Sequence, residues 1–270
     1  MIIDFHTHVF PEAIASGTIK KLETFAHIKA QSNGLLEGLK ASMEKAGVDY
    51  SVILPVVTKP AQFRTVNEYA ASINGRDGII SFGGIHPDTE DYQKELEQIH
   101  AYGLPGIKLH PDYQKVHVTD PRYLKLITYA VDLGLIVTLH AGVDIGLPDE
   151  VYCPPEESVQ MLQYVEAHAT HPEQTKIILA HTGGYAQWDA VEELLVGKNV
   201  YFDLAYTFGH IETDQLLRII QNHGADRILF ATDSPWNDQK ADIEALKALS
   251  LTPEEEAAIL GENARTLLQL

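Results

Sequence analysis

One cysteine, Cys153, stands in a chain of 270 residues. A lone thiol closes no intrachain bridge, which excludes a disulfide-stapled fold and suits a reducing compartment. Positive charge is also scarce, with 20 Lys plus Arg against 38 Asp plus Glu and a net charge of −18. No run of Lys and Arg occurs, so a phosphate backbone meets repulsion here, and nucleic acid is not an expected partner. No stretch approaches the roughly 18 apolar residues that cross a bilayer, so no membrane association is expected. The opening residues, Met1 to His8, lack the basic and apolar segments of a secretory leader. Linkers, low-complexity segments and short-period repeats are missing too. These absences predict a cytoplasmic protein, and the 45% hydrophobic content supplies a sizeable core for one domain over residues 1–270.

Short apolar, β-branched runs recur from end to end. They are Ile2–His8, Tyr50–Val57, Ile79–His86, Gly106–His110, Leu135–His140, Lys176–His181, Asn199–Tyr206 and Arg227–Asp233. Near-continuous Val, Ile and Leu, rather than clean alternation, is the pattern of parallel strands covered on both faces. Between them lie segments of helical spacing, such as Leu35-Leu36-Leu39-Met43 and Leu124-Leu126-Ile127-Ala130-Val131. Asp120-Pro121 reads as an N-cap with Pro at the first helical position, and Thr213 or Asp214 is the expected cap of a helix over Leu216–Ile220. Pro11–Gln31 reads as a helical excursion at the barrel mouth and Thr252–Leu268 as a terminal helix. Eight strands, each followed by a helix, in about 250 residues is the arithmetic of a (β/α)8 TIM barrel. An open doubly wound sheet is the competing architecture, but His6-Thr7-His8-Val9-Phe10-Pro11 has nothing of its Gly-rich first turn.

Six of the 13 histidines fall at the carboxyl ends of these strands: His6, His8, His86, His110, His140 and His181. Asp233 ends the last. Barrel enzymes build their sites on that face. His6 and His8, two apart on a strand, point to the same side and converge on the mouth. Two converging imidazoles fill a core poorly and hold a divalent metal well. With His140, His181 and Asp233 at the equivalent ends of other strands, the pattern reads as a metal site. Nitrogen and carboxylate ligands without thiolate suit zinc first, with manganese, iron or nickel left open. Asp4 is expected beside it as a structural group.

The sequence resembles the amidohydrolase superfamily in His6-Thr7-His8, Lys108, His140, His181 and Asp233. The surrounding words Gly106-Ile107-Lys108-Leu109-His110-Pro111, Leu179-Ala180-His181-Thr182-Gly183-Gly184 and Phe230-Ala231-Thr232-Asp233-Ser234-Pro235-Trp236 look most like the amidohydrolase 2 branch. That branch holds TIM-barrel metal-dependent hydrolases and also decarboxylases. The resemblance implies that Asp233 is both ligand and general acid/base, with His181 beside it in the catalytic set. It also implies that Lys108 decides between one ion and two: as a metal ligand with its amine carboxylated, it bridges two ions. Two other readings of Lys108 stay open: an ammonium that binds a substrate carboxylate or phosphate, and an interior lysine paired with an Asp.

His86, His110, Tyr113, Asp144 and Trp236 follow the strand ends and are expected to touch substrate, with Gln114 beside them. Arg64, Arg122 and Lys59 are the cations nearest the rim, and Tyr201, Phe202 and Tyr206 read as barrel packing. Cys153 has no base beside it and is not expected to be a nucleophile. Four functions follow in order: a hydrolase of a small amide, lactone or ester; a metal-dependent decarboxylase or hydratase; a TatD-like nuclease, which the acidic charge disfavours; and a metal-stabilised binding protein. The partner is then a small-molecule substrate, and a homodimer through the outer helices stays open.

Overall fold

The computed structural model describes residues 1–270. Nine strand segments run in parallel: β1 (Ile3–Thr7), β2 (Tyr50–Ile53), β3 (Ile79–Ser81), β4 (Gly83–Gly84), β5 (Gly106–Leu109), β6 (Ile136–Leu139), β7 (Ile177–Leu179), β8 (Tyr201–Asp203) and β9 (Ile228–Leu229). The ladders form a sheet β1-β2-β3 and a sheet β4-β5-β6-β7-β8-β9. β3 and β4 are two halves of one strand parted at Phe82, whose N–H still reaches Ile53 O at 2.9 Å. At the other seam Phe5 N donates to Phe230 O and Asp233 N to His6 O, each at 2.9 Å. Eight strand positions therefore follow one another around a TIM barrel.

The helices alternate with the strands: α1 (Glu12–Ala26), α2 (Leu36–Ala46), α3 (Phe63–Ile73), α4 (Tyr92–Ala101), α5 (Pro111–Gln114), α6 (Pro121–Asp132), α7 (Pro155–His168), α8 (Trp188–Leu194), α9 (Thr213–His223), α10 (Gln239–Lys247), α11 (Pro253–Ala257) and α12 (Asn263–Leu268). None is long and apolar enough to cross a membrane. Asp120 caps α6 as expected, its carboxylate accepting from Arg122 N at 2.9 Å. α9 differs from expectation: Glu212 is its N-cap and makes no side-chain cap bond, while Thr213 and Asp214 lie inside the first turn. The terminal helix is also interrupted, because a π-helical turn over Ala258–Glu262 separates α11 from α12. The strands are shorter than their apolar runs, since the last residues of each run leave the ladder to form the mouth.

Alternate strand residues fill the barrel interior, with Ile3, Phe5, Val52, Leu54, Ile80 and Phe82 meeting Ile136, Ile178 and Leu229. Phe5 and Phe82 pack edge to face, centroids 5.8 Å apart. Ala264 and Leu267 of α12 close the floor of this cluster. The larger core lies between strands and outer helices and includes Leu39, Leu96, Leu126, Ile219 and Leu246. The α1 excursion reaches over the mouth: Gln31 N donates to Pro235 O at 2.6 Å, and Phe25 stands against the face of Gly146.

Candidate metal centre

β1 delivers two histidines to one point. Its pairing with β2 slips in register between Asp4 and Thr7, so Phe5 enters the interior cluster and His6, the next residue, still turns to the mouth. Strict alternation forbids that pair of directions. His6 Nε2 lies 3.2 Å from His8 Nε2 and 3.5 Å from Asp233 Oδ1. His8 Nε2 lies 3.0 Å from the same oxygen. A tetrahedral ion with bonds of about 2.1 Å separates its ligand atoms by about 3.4 Å, so this triangle fits a divalent cation. The remaining ring nitrogens are held from outside it: His6 Nδ1 by Asp203 Oδ2 at 2.9 Å, and His8 Nδ1 by Leu54 O at 2.8 Å. That leaves each Nε2 lone pair facing the gap.

Protonation agrees with this. Burial, and then the Lys108 charge, lower His6 well below the ordinary histidine range. Burial would raise Asp233, but His6 and His8 beside it hold the carboxyl well below the ordinary carboxylate range. A neutral imidazole and an ionised carboxylate are the forms that ligate.

Lys108 points into the same space from β5, fully buried, with Nζ 3.3 Å from His6 Nε2. Burial lowers its amine to about 8, against the pull of Asp203 and Asp233. His6 is its hydrogen-bond partner, so it is not the interior lysine tied to an aspartate that one reading of the sequence allowed. His181, at the end of β7, donates from Nδ1 to Ala205 O at 2.9 Å and sets Nε2 3.0 Å from His140 Nδ1. Its ring centroid is 5.4 Å from that of His6.

A second group of possible ligand atoms comprises His110, His140 and Asp144. Here the rings of His110 and His140 stack at 4.2 Å and 7°, and Tyr113 covers the other face of His110 at 3.9 Å. An imidazole ligates in its own plane, so two parallel stacked rings do not share an ion well. His110 Nε2 instead faces Asp144 Oδ2 at 3.6 Å. Asp112 lies behind them, its Oδ2 3.9 Å from His140 Nε2, both atoms buried and without a hydrogen-bond partner. Burial, and then the Asp144 charge, push Asp112 up to about 7.

The remaining candidates lie apart. His86 Nδ1 accepts from Asp88 N at 3.1 Å and contacts none of the groups above. Trp236 is joined to Asp233 through a backbone bond of 2.9 Å, and its ring is half-buried. Gln114 is spent on the frame, donating to Val57 O and Ile85 O at 2.7 Å each. Arg122 is paired with Asp120 and Asp88 and Arg64 with Glu68, while Lys59 is exposed. Tyr206 corrects its expected packing role: it is half-buried and stacks on His210 at 4.5 Å, beside Tyr185. Phe202, by contrast, is core.

Two residues that sequence reasoning passed over matter here. Asp203 is a carboxylate inside the apolar run of β8, and that placement was its signal. Asp112 follows His110-Pro111 in the short α5, and nothing in the sequence marked its burial. His181 and Asp233, the two residues expected from the sequence to be catalytic, sit in the left-handed region, at φ 60° and φ 65°. Such backbone costs about 1–3 kcal/mol per residue and persists where surrounding contacts over-determine it.

A family model described as amidohydrolase matches residues 3–270. No curated protein sequence matches the chain. Among solved structures, an uncharacterised TIM-barrel protein from Bordetella bronchiseptica superposes with a TM-score of 0.77 at 21% identity, over 99% of this chain and 98% of that one. A 2,6-dihydroxybenzoate decarboxylase from Rhizobium gives 0.68 at 18%, over 99% and 98%. A dihydroxybenzoic acid decarboxylase from Polaromonas, solved with manganese and 2-nitroresorcinol, gives 0.70 at 16%, over 100% and 97%. The chain belongs to the amidohydrolase family, and its fold is the TIM barrel.

Proposed function

We propose that the chain is a metal-dependent hydrolase of a small-molecule amide, lactone or ester. The observation that carries this reading is the triangle of His6 Nε2, His8 Nε2 and Asp233 Oδ1, with the Lys108 amine 3.3 Å from one corner. A divalent ion bound there would supply Lewis-acid chemistry, polarising a carbonyl and making water easier to deprotonate near neutrality. His6, His8 and Asp233 hold that ion. Asp233 Oδ1 is shared between the two imidazoles, which leaves Oδ2 to accept a proton and return it to the leaving group. An ammonium at Lys108 would oppose a cation so close by, whereas a carboxylated amine would supply an anionic oxygen instead. In that form Lys108, His140 and His181 would be the residues that hold a second ion. Tyr113, His110 and Asp144 then form one wall of the substrate site, with Trp236 and His86 further out. Zinc suits the nitrogen and carboxylate donors, as do manganese, iron and nickel.

A decarboxylase is the second reading, and the likeness to the Rhizobium and Polaromonas structures favours it. In that case one ion suffices, and Lys108 as an ammonium pairs with the substrate carboxylate. The test is elemental analysis of protein purified without chelator, wild type and Lys108→Ala, with turnover assayed on lactones and amides and on hydroxybenzoates. Two equivalents falling to one, with lactone or amide opening, is the expected result. One equivalent in both proteins, with carbon dioxide release, overturns the hydrolase in favour of the lyase.

A further inference from the structure

Asp203 is fully buried in β8 and uses both oxygens. Oδ2 lies 2.9 Å from His6 Nδ1, while Oδ1 accepts from the backbone N–H of His181 at 3.0 Å and of Ala205 at 3.1 Å. One carboxylate thus ties together the ends of β1, β7 and β8. We propose that Asp203 is a positioning residue that fixes His6 as the Nδ1–H tautomer and pins the backbone of His181, so that both rings present Nε2 to an ion. This inference rests on the metal reading above.

The argument is one of donors and acceptors. An ionised carboxylate only accepts, so the proton between Asp203 and His6 sits on Nδ1. The lone pair of His6 is then on Nε2, the atom 3.2 Å from His8 Nε2 and 3.5 Å from Asp233 Oδ1. At His181 the restraint is mechanical. Its left-handed backbone, φ 60°, is held by the N–H bond to Asp203, by Trp188 Nε1 donating to its carbonyl at 3.1 Å, and by its own ring donating to Ala205 O. Ala205 in turn gives its N–H to Asp203, so the loop of contacts is closed.

An amide of the same shape cannot reproduce this. In Asp203→Asn, one oxygen serves two backbone N–H groups, and the NH2 is left facing His6 Nδ1. His6 accepts that N–H only by moving its proton to Nε2, where it points into the ligand triangle. Turning the amide over instead sets its NH2 against the backbone N–H groups of His181 and Ala205, which costs more because two buried donors are then left without an acceptor.

The experiment reads the tautomer and the affinity separately. Nitrogen-15 NMR of the metal-free, histidine-labelled protein, with the His6 resonances assigned by loss in His6→Gln, is expected to show the wild-type proton on Nδ1. Asp203→Asn is expected to move it to Nε2 and to lower affinity for Zn2+ or Mn2+, measured by chelator competition, about 10–100-fold. Asp132→Asn, a carboxylate at the end of α6 that accepts from Thr170 N at 2.7 Å, is the control that leaves that affinity unchanged. A wild-type proton on Nε2, or an Asp203→Asn protein that folds and binds as tightly as wild type, overturns the inference. A wild type that binds neither ion overturns the metal reading instead, and the wild-type tautomer then decides the case for Asp203 alone.

Discussion

Asp4 and Thr232 are joined twice, Oδ1 accepting from Thr232 N at 3.0 Å and Oδ2 from Thr232 Oγ1 at 2.6 Å. Gln239 Nε2 adds a third bond to Oδ2 at 2.8 Å. This pair seals the barrel seam two residues before His6 and one before Asp233, so the same contact that closes the fold aligns two proposed ligands from opposite ends of the chain. Truncation strands buried donors on Thr232 and Gln239. Asp4→Ala is expected to cost about 3 kcal/mol, from unmatched groups worth about 1–3 kcal/mol each. A denaturant titration checks this, and an unchanged midpoint with unchanged slope counts against it.

Gly142 holds the mouth together on the other side. Its φ is 81°, and a Cβ there would stand 2.2 Å from Tyr185 N and 2.4 Å from Gly184 C. Those are backbone atoms of the loop after β7, bonded to this one through Tyr185 N to Ala141 O and Val143 N to Tyr185 O, at 2.9 and 3.0 Å. No side chain can rotate away from the collision. Gly142→Ala is expected to lower stability by about 3 kcal/mol or more, since left-handed strain adds to forced separation of the loops. Thermal unfolding of the variant is the measurement, and a melting temperature within about a degree of wild type would falsify it.

How far the sequence carried can be seen at these positions. The parallel strands were legible because buried strands demand long apolar runs, and the strand-end histidines were legible because the site face of a barrel is fixed by chain direction. The convergence of His6 on His8 followed from two-residue spacing, yet its physical route includes a register slip that no spacing rule contains. Asp203 and Asp4 were harder. Each is a carboxylate among apolar neighbours, and its purpose depends on partners more than a dozen residues away, such as His6 and Thr232. The stack of Tyr113, His110 and His140 is a matter of ring orientation, which residue order does not encode.

Cys153 tests a reading of the site by its silence. The thiol is fully buried, and burial pushes it up to about 12, with Ser158 Oγ at 3.4 Å as its neighbour. Thiolate is the reactive form, so at pH 8 almost none is present and reagent has no path to it. The native protein is expected to give no thiol reaction over an hour at pH 8 and one equivalent on unfolding. Prompt reaction of the folded protein, together with loss of turnover, would place Cys153 among the catalytic groups against expectation.

Asp242 supplies a pH dependence that needs no metal. Burial pushes its carboxyl up to about 7, while Asn237 pulls it down by hydrogen bonding and Asp4, Asp238 and Asp233 push it further up. The folded state therefore prefers the protonated form. Below the unfolded value of 3.8 the group is protonated in both states and costs nothing. The penalty grows as pH rises from there to about 7 and is constant above. Asp242→Asn removes the charge and keeps an oxygen for Asn237 Nδ2, now 3.1 Å from the carboxylate. The variant is expected to be more stable than the metal-free wild type by on the order of 2 kcal/mol at pH 8, at about 1.4 kcal/mol per pKa unit with allowance for relaxation. The advantage is expected to shrink through pH 6 and vanish near pH 4. Urea midpoints at four pH values across that range decide it: a gain that stays the same at every pH means that packing, not ionisation, separates the two proteins.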